Sequence, residues 1–407
     1  LAEILKTRGE FNNIEKQMKK LQFLFLLLIL NNAIAQNINL NKGETETENY
    51  LTEVNFEFVN GKIIIPVVIN NITYRFLLDT GASNLISKKL TTILNPKFQN
   101  KIEVSDANEN KTSMNIVELP NLTIGNINFK NTVALSSDDE KNLVFDCFNI
   151  DGFIGSNLLR NSIIQIDINK KILTITNDIK NFKLDKRNSS KLQLLGIQSS
   201  PYIWVKLIGT NSGKEQVLLD TGMKGFYSIS NKHFNLFEKA KIFEVNATGN
   251  GTESISLFGN SISSNHTRLL LPKLKITNSN FLNITTLTTN DDNSKIGIDL
   301  FEKGIGTIDF KNKRFYFDEY TINTDLTEKQ IGFLPTILNN KLSIGIVWDE
   351  NLKNIIFTGD EIIAINNINY ENYAICDLIS KKSIFKDIVI EKITIKNKEG
   401  EIKELKI

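Results

Sequence analysis

Apolar residues in this chain come in short runs broken by Asn, Gly and charged residues, and few runs keep a helical period. Lys62–Ile69, Thr73–Leu78, Ile163–Ile168 and Ile172–Thr176 are rich in Ile, Val, Phe and Thr, with turn residues at the breaks. That pattern predicts strands and hairpins, so the fold class is mostly β. The exception is Leu21–Leu30 (LQFLFLLLIL), a nearly pure apolar run. It follows Met18-Lys19-Lys20 and ends in Ala33-Ile34-Ala35, the layout of an export signal with cleavage after Ala35. The run is short of the ~20 residues a spanning helix needs, so no stable membrane insertion is expected, an uncleaved anchor being the alternative. The mature chain is expected to be periplasmic or secreted. Residues 1–17 precede the methionine that fits a start and read as an upstream extension, with 18–35 as the signal peptide.

The chain repeats itself, and the repeat organises everything downstream. Phe76–Gly81 (FLLDTG) recurs as Val217–Gly222 (VLLDTG) at an offset of 141, and Ile154–Lys171 matches Ile296–Lys313 without gaps at 142. Between them, Leu119-Pro120-x-Leu122-x-Ile124 reappears as Leu271-Pro272-x-Leu274-x-Ile276 at 152, while Glu103-Val104 pairs with Glu244-Val245 at 141. The second copy has therefore gained about eleven residues between Val245 and Leu271 and lost about ten later. Insertions between strands kept in register map to loops, here a longer hairpin. The copies run over 52–177 and 191–317, joined by a polar linker.

Composition narrows the chemistry. The 407 residues carry a formal net charge of +2, and residues 1–35 hold five basic and three acidic side chains, leaving 43 of each sign in the remainder. A neutral mature chain has no nucleic-acid footprint. Cys147 and Cys376 fall in different parts of the chain and form no disulfide framework; His233 and His266 lie near no other metal-ligating residue and read as surface residues. No metal and no organic cofactor is expected.

The repeated Asp-Thr-Gly can do chemistry. In both copies an apolar strand runs straight into the acid, Phe76-Leu77-Leu78 into Asp79 and Val217-Leu218-Leu219 into Asp220. A pseudo-two-fold relation between the copies would set the two carboxylates face to face. Close carboxylates cannot both ionise easily and share a proton. One then acts as general base on a water while its protonated partner polarises a substrate carbonyl. Thr80 and Thr221 would brace the loops across the interface, and Gly81 and Gly222 would permit the close approach.

These residues resemble the retropepsin-like and pepsin-like aspartic peptidases, in the bacterial form with two lobes in one chain. A second motif of that family, apolar-apolar-Gly, is matched by Phe153-Ile154-Gly155 and imperfectly by Lys295-Ile296-Gly297. The resemblance spans about 52–317 and implies an aspartic endopeptidase acting on a peptide or protein substrate, catalytic Asp79 and Asp220. Ser83 follows the first loop as the family prefers and is expected to support Asp79. Lys224 takes the equivalent place in the second, where a cation beside Asp220 would bias the shared proton towards Asp79, the alternative being a side chain that points to solvent. The pepsin-type flap tyrosine is missing from 101–114; hairpin candidates near Ser105–Thr112 and Asn246–Asn260 suggest two flaps.

Beyond Phe317, residues 328–407 resemble a bacterial PDZ domain, most specifically in Thr358–Asn367 (TGDEIIAINN). The resemblance implies that Ile331, Gly332 and Phe333 capture a C-terminal peptide ligand through backbone N–H groups. The expected architecture is thus two pseudo-two-fold related aspartic-protease β lobes plus a C-terminal PDZ-like domain, monomeric. The alternatives are a catalytically inactive peptide-binding protein and a PDZ-centred adaptor on the same fold.

Overall fold

Each Asp-Thr-Gly loop is fed by an antiparallel hairpin. In the computed structural model, which describes residues 38–381 and 389–407, Lys62–Ile69 pairs with Ile72–Asp79, and Ser200–Ile208 pairs with Ser212–Leu219. The expected segments 1–17 and 18–35 lie outside the described residues. Asn70 and Asn71 turn the first hairpin, both at positive φ (50° and 62°). A two-residue turn of that hand matches the twist of the strands, and Asn tolerates the left-handed conformation better than other non-glycine residues.

The strand that ends in each acid is flanked by a short parallel one. Gly152–Gly155 runs beside Ile72–Asp79 with Phe153 opposite Leu77 and Gly155 opposite Asp79. In the second copy Lys295 sits opposite Leu218 and Ile296 opposite Leu219. Leu78 and Leu219 are fully buried in one apolar cluster with Ile65, Val217 and Ile296. Burying a side chain of this size contributes about 1.5–3 kcal/mol, which anchors both loops from behind.

The two copies meet in a shared sheet. Ile163–Asp167 pairs antiparallel with Gly304–Asp309, and each is backed by its own hairpin partner, Ile172–Thr176 and Arg314–Glu319. Leu51–Asn55 and Ser189–Lys191 close the two edges. At the centre Gln165 stands opposite Thr307, two residues separated by the repeat offset of 142, with the amide of Gln165 2.9 Å from the Thr307 hydroxyl. Equivalent residues can face each other only on a two-fold axis, so the axis relating the copies passes through this pair.

The extra residues of the second copy extend the hairpin of Glu244–Gly251 and Ser264–Ile276 and carry a small ladder of their own, Ile255–Ser256 with Gly259–Asn260. A separate buried cluster, with Phe333, Ile344, Ile362, Ile393 and Ile395, holds the C-terminal segment. This segment docks on the extended hairpin: Gly251 pairs with Ile346, Thr252 N–H donates to Gly345 O at 3.1 Å, and Asn260 donates to Ile337 O at 2.6 Å.

Two sequence expectations are corrected. Cys147 and Cys376 form a disulfide across 229 residues (S–S 2.06 Å). It links helix Leu143–Phe148 to helix Ile375–Ser380, a long-range contact that spacing along the chain does not reveal. The histidines are not free surface residues. His266 is 2% exposed, its Nδ1 donating to Thr288 O at 2.9 Å with Glu253 at 3.4 Å. His233 Nδ1 lies 2.8 Å from buried Glu215, whose other oxygen accepts from the Tyr227 hydroxyl at 2.6 Å.

Candidate active site

Strand, turn and cross-bracing together bring Asp79 and Asp220 side by side. Thr80 and Thr221 are fully buried, and each hydroxyl reaches into the opposite copy. The Thr80 hydroxyl donates to Leu219 O at 2.6 Å and accepts from Thr221 N–H at 3.1 Å. The Thr221 hydroxyl donates to Leu78 O at 2.9 Å and accepts from Thr80 N–H at 3.0 Å. Four backbone groups that water cannot reach are thereby satisfied by two side chains.

The turns aim the carboxylates symmetrically. Asp79 Oδ1 accepts from Gly81 N–H at 3.0 Å and Ala82 N–H at 3.1 Å; Asp220 Oδ1 accepts from Gly222 and Met223 N–H, both at 3.0 Å. Ser83, buried beside the first loop, is not among the hydrogen-bond donors to Asp79. Each carboxylate also abuts the partner loop. A methyl group on Gly81 would lie 2.6 Å from Asp220 Cγ, and one on Gly222 would lie 2.3 Å from Asp79 Oδ2. No side chain fits at either position without moving a carboxylate.

The charges around this pair are not symmetric. Lys295 is 8% exposed, and its ammonium lies 3.2 Å from Asp220 Oδ2 and 2.8 Å from Asp291 Oδ2. Burial works against the ammonium, but the two carboxylates outweigh it and hold its pKa above the ordinary lysine range. Lys62, at the start of the first hairpin, donates to Gly222 O. Burial draws its pKa down, opposed by the charges of Asp79 and Asp220. Asp79 is raised to about 7, first by burial and next by Asp220, with Lys62 and Lys295 pulling the other way. Carboxylates in such surroundings are suited to general acid–base work near neutral pH.

Lys224, expected beside Asp220, reaches instead towards the first copy, where its ammonium donates to Asn60 Oδ1 at 2.5 Å. The cation paired with Asp220 is Lys295, visible in the sequence only as a mismatch to the apolar-apolar-Gly pattern. A lysine in place of an apolar residue on a buried strand requires counter-ions, and that was the available signal. Lys62 and Asp291 carried none.

Two hairpins reach each other by their tips. Asp106, in the turn between Lys97–Ser105 and Lys111–Glu118, accepts from Phe258 N–H at 2.8 Å and from the Ser256 hydroxyl. Asn108 donates to Gly259 O at 3.0 Å, and Asn110 to Asn260 O at 3.1 Å. Ile331, Gly332 and Phe333 lie in the C-terminal segment. There Ile331 O accepts from Arg268 at 2.7 Å, Gly332 O accepts from Trp348 N–H at 2.8 Å, and Phe333 is buried. Among the described residues no three His, Cys, Asp or Glu side chains are grouped to hold a metal ion.

Residues 65–158 match the family model described as aspartyl protease, a stretch that contains Asp79 and the Gly152–Gly155 strand and ends before Asp220. The chain is similar to a solved retropepsin-like aspartic protease from Rickettsia conorii, at 21% identity, covering 33% of this chain and 94% of that one with a TM-score of 0.23. No curated protein matches it.

Proposed function

We propose that this chain is an exported aspartic endopeptidase in which two β lobes, 52–177 and 191–317, bind an extended peptide between them. The observation that carries the reading is the reciprocal bracing of two Asp-Thr-Gly loops, which sets each carboxylate against the glycine of the other loop. A structural role needs no such pair of acids, one buried and one half-buried, since withdrawing a carboxylate from water costs free energy. In the proposed reaction one carboxylate takes a proton from water as the oxygen bonds to the scissile carbonyl carbon. Its partner gives a proton to the carbonyl oxygen. Collapse breaks the C–N bond: the first aspartate protonates the departing nitrogen, and the second recovers its proton from the hydroxyl.

Residues 328–407 are read as a PDZ-like domain that helps position substrate or a C-terminal peptide ligand, supported by its docking on the extended second hairpin. A second reading, a catalytically silent peptide-binding protein, is favoured by one feature, the ion pair of Lys295 with Asp220. Cleavage of a mixed peptide pool by the purified chain from about pH 4 to 8, with Asp79→Asn and Asp220→Asn as controls, separates the two. Endopeptidase activity lost in both variants supports the proposal. Binding without cleavage, or cleavage that survives either substitution, overturns it.

A further inference from the structure

We infer that Lys295, held in place by Asp291, is a positioning residue that makes the two aspartates unequal: Asp220 is kept as the carboxylate that activates water, and Asp79 carries the shared proton. This deepens the peptidase reading and rests on it for the chemical roles. The first argument is geometric. The two Asp-Thr-Gly loops match bond for bond in their backbone donors and crossed threonines. They differ in what stands behind them. Phe153 lies opposite Leu77 in the first copy, whereas Lys295 lies opposite Leu218 in the second and places its ammonium 3.2 Å from Asp220. Asp291, 2.8 Å away on the other side, keeps the ammonium from withdrawing to solvent.

The second argument is charge balance. Lys62 and Lys295 offset the carboxylates of Asp220 and Asp291, so the cluster is neutral when Asp79 is protonated and carries one net negative charge when it is not. In a buried site the neutral arrangement is favoured. Lys62 acts on both aspartates, on Asp79 more than on Asp220, so it does not supply the preference for an ionised Asp220. The other titratable groups facing the cluster are Tyr202 and Glu253, each raised first by burial; Tyr202 then feels Asp291, Lys295 and Asp220, and Glu253 feels His266, Asp291 and Lys295. All of these discriminating groups lie on the second copy, so the asymmetry belongs to Asp220's surroundings. Asp79 titrating at about 7 agrees with its role as the proton carrier.

The test follows the carboxyl groups themselves, so that it does not depend on finding a substrate. NMR titration of the full mature chain with carboxyl-labelled aspartate should show a group with a midpoint near pH 7. That signal should vanish in Asp79→Asn and persist, moved to lower pH, in Asp220→Asn, where a repelling carboxylate has been removed. In Lys295→Met the near-neutral step should no longer belong to Asp79 alone, both aspartate signals following it because the cation that held Asp220 ionised is gone; Lys295→Arg should return the step to Asp79. Should Lys295→Met fold poorly, the aspartate variants still decide the assignment in the native lysine background. A near-neutral signal that disappears in Asp220→Asn, or one that stays on Asp79 alone in Lys295→Met, overturns the inference. Where a cleaved peptide is available, the alkaline limb of kcat should move with the same midpoint while KM stays within about twofold. An unchanged titration overturns the positioning role of Lys295; a changed titration without any cleavage overturns the peptidase reading alone.

Discussion

Replacing Thr221 by valine or by serine separates the hydroxyl from the methyl at the point where the copies are braced. Valine preserves the shape and removes both hydrogen bonds, leaving Leu78 O and Thr80 N–H without partners in a fully buried site. Each stranded backbone group costs about 1–3 kcal/mol, so Thr221→Val should destabilise by about 2–6 kcal/mol, a large share of a typical total of about 5–15. Serine keeps both bonds and loses one buried methyl, at about 1 kcal/mol. The predicted stability order is therefore Thr, then Ser, then Val, whereas hydrophobicity alone would put Val first. Urea unfolding followed by intrinsic fluorescence measures it. Activity should follow the same order, since the backbone that the hydroxyl braces aims Asp79. A valine variant as stable as the serine variant would show that the crossed bonds are incidental to the interface.

Three further outcomes follow from the same geometry. Gly222→Ala should lower kcat/KM by about 100-fold or more, because the new methyl occupies the space of Asp79 Oδ2 and a displacement near 1 Å has that order of effect; peptide cleavage beside a melting curve measures it. Asp79→Asn should unfold at higher urea than the native chain at pH 8, by up to ~3–4 kcal/mol. A raised folded-state pKa means that the wild-type carboxyl contributes fully below about pH 4 and that this contribution is lost as pH rises through about 7, so the advantage should shrink to nothing in acid. Reducing the Cys147–Cys376 disulfide, or Cys376→Ser, should cost about 2–4 kcal/mol and first expose the C-terminal segment to protease. The bridge closes a loop of 229 residues in the unfolded chain, so its loss enlarges the unfolded ensemble.

Local pattern was enough to find the elements that carry the acids. The strand expected over Lys62–Ile69 has those bounds, and the one expected over Thr73–Leu78 extends to Ile72–Asp79, so the acid is the last residue of the strand and not the first of the turn. Short runs of β-branched and aromatic residues between turn residues report such segments because a buried strand must be apolar along most of its length. Pairing between distant segments is a different matter, since nothing in the composition of Ile163–Asp167 names Gly304–Asp309 as its neighbour. The repeat offset did contain that information in another form. If two copies pack about a two-fold axis, residues one offset apart must face each other where the axis crosses a strand pair, as Gln165 and Thr307 do.

The charge on the site was the least legible part, and the reason is physical. A motif records which residues recur, whereas the ion pair on Asp220 depends on a residue that breaks the recurrence. Lys224 stands closer to Asp220 in sequence, yet its side chain leaves the loop towards Asn60, while Lys295 arrives from a strand that lies alongside in register. Sequence distance is a poor guide to electrostatic distance because the field at a carboxylate is set by the few charges within several ångströms, whatever element delivers them. The duplicated loops supply matching backbone geometry to both aspartates, and symmetric geometry alone cannot say which one holds the proton. A single departure from the repeat, phenylalanine in one copy and lysine in the other, is sufficient to break that symmetry.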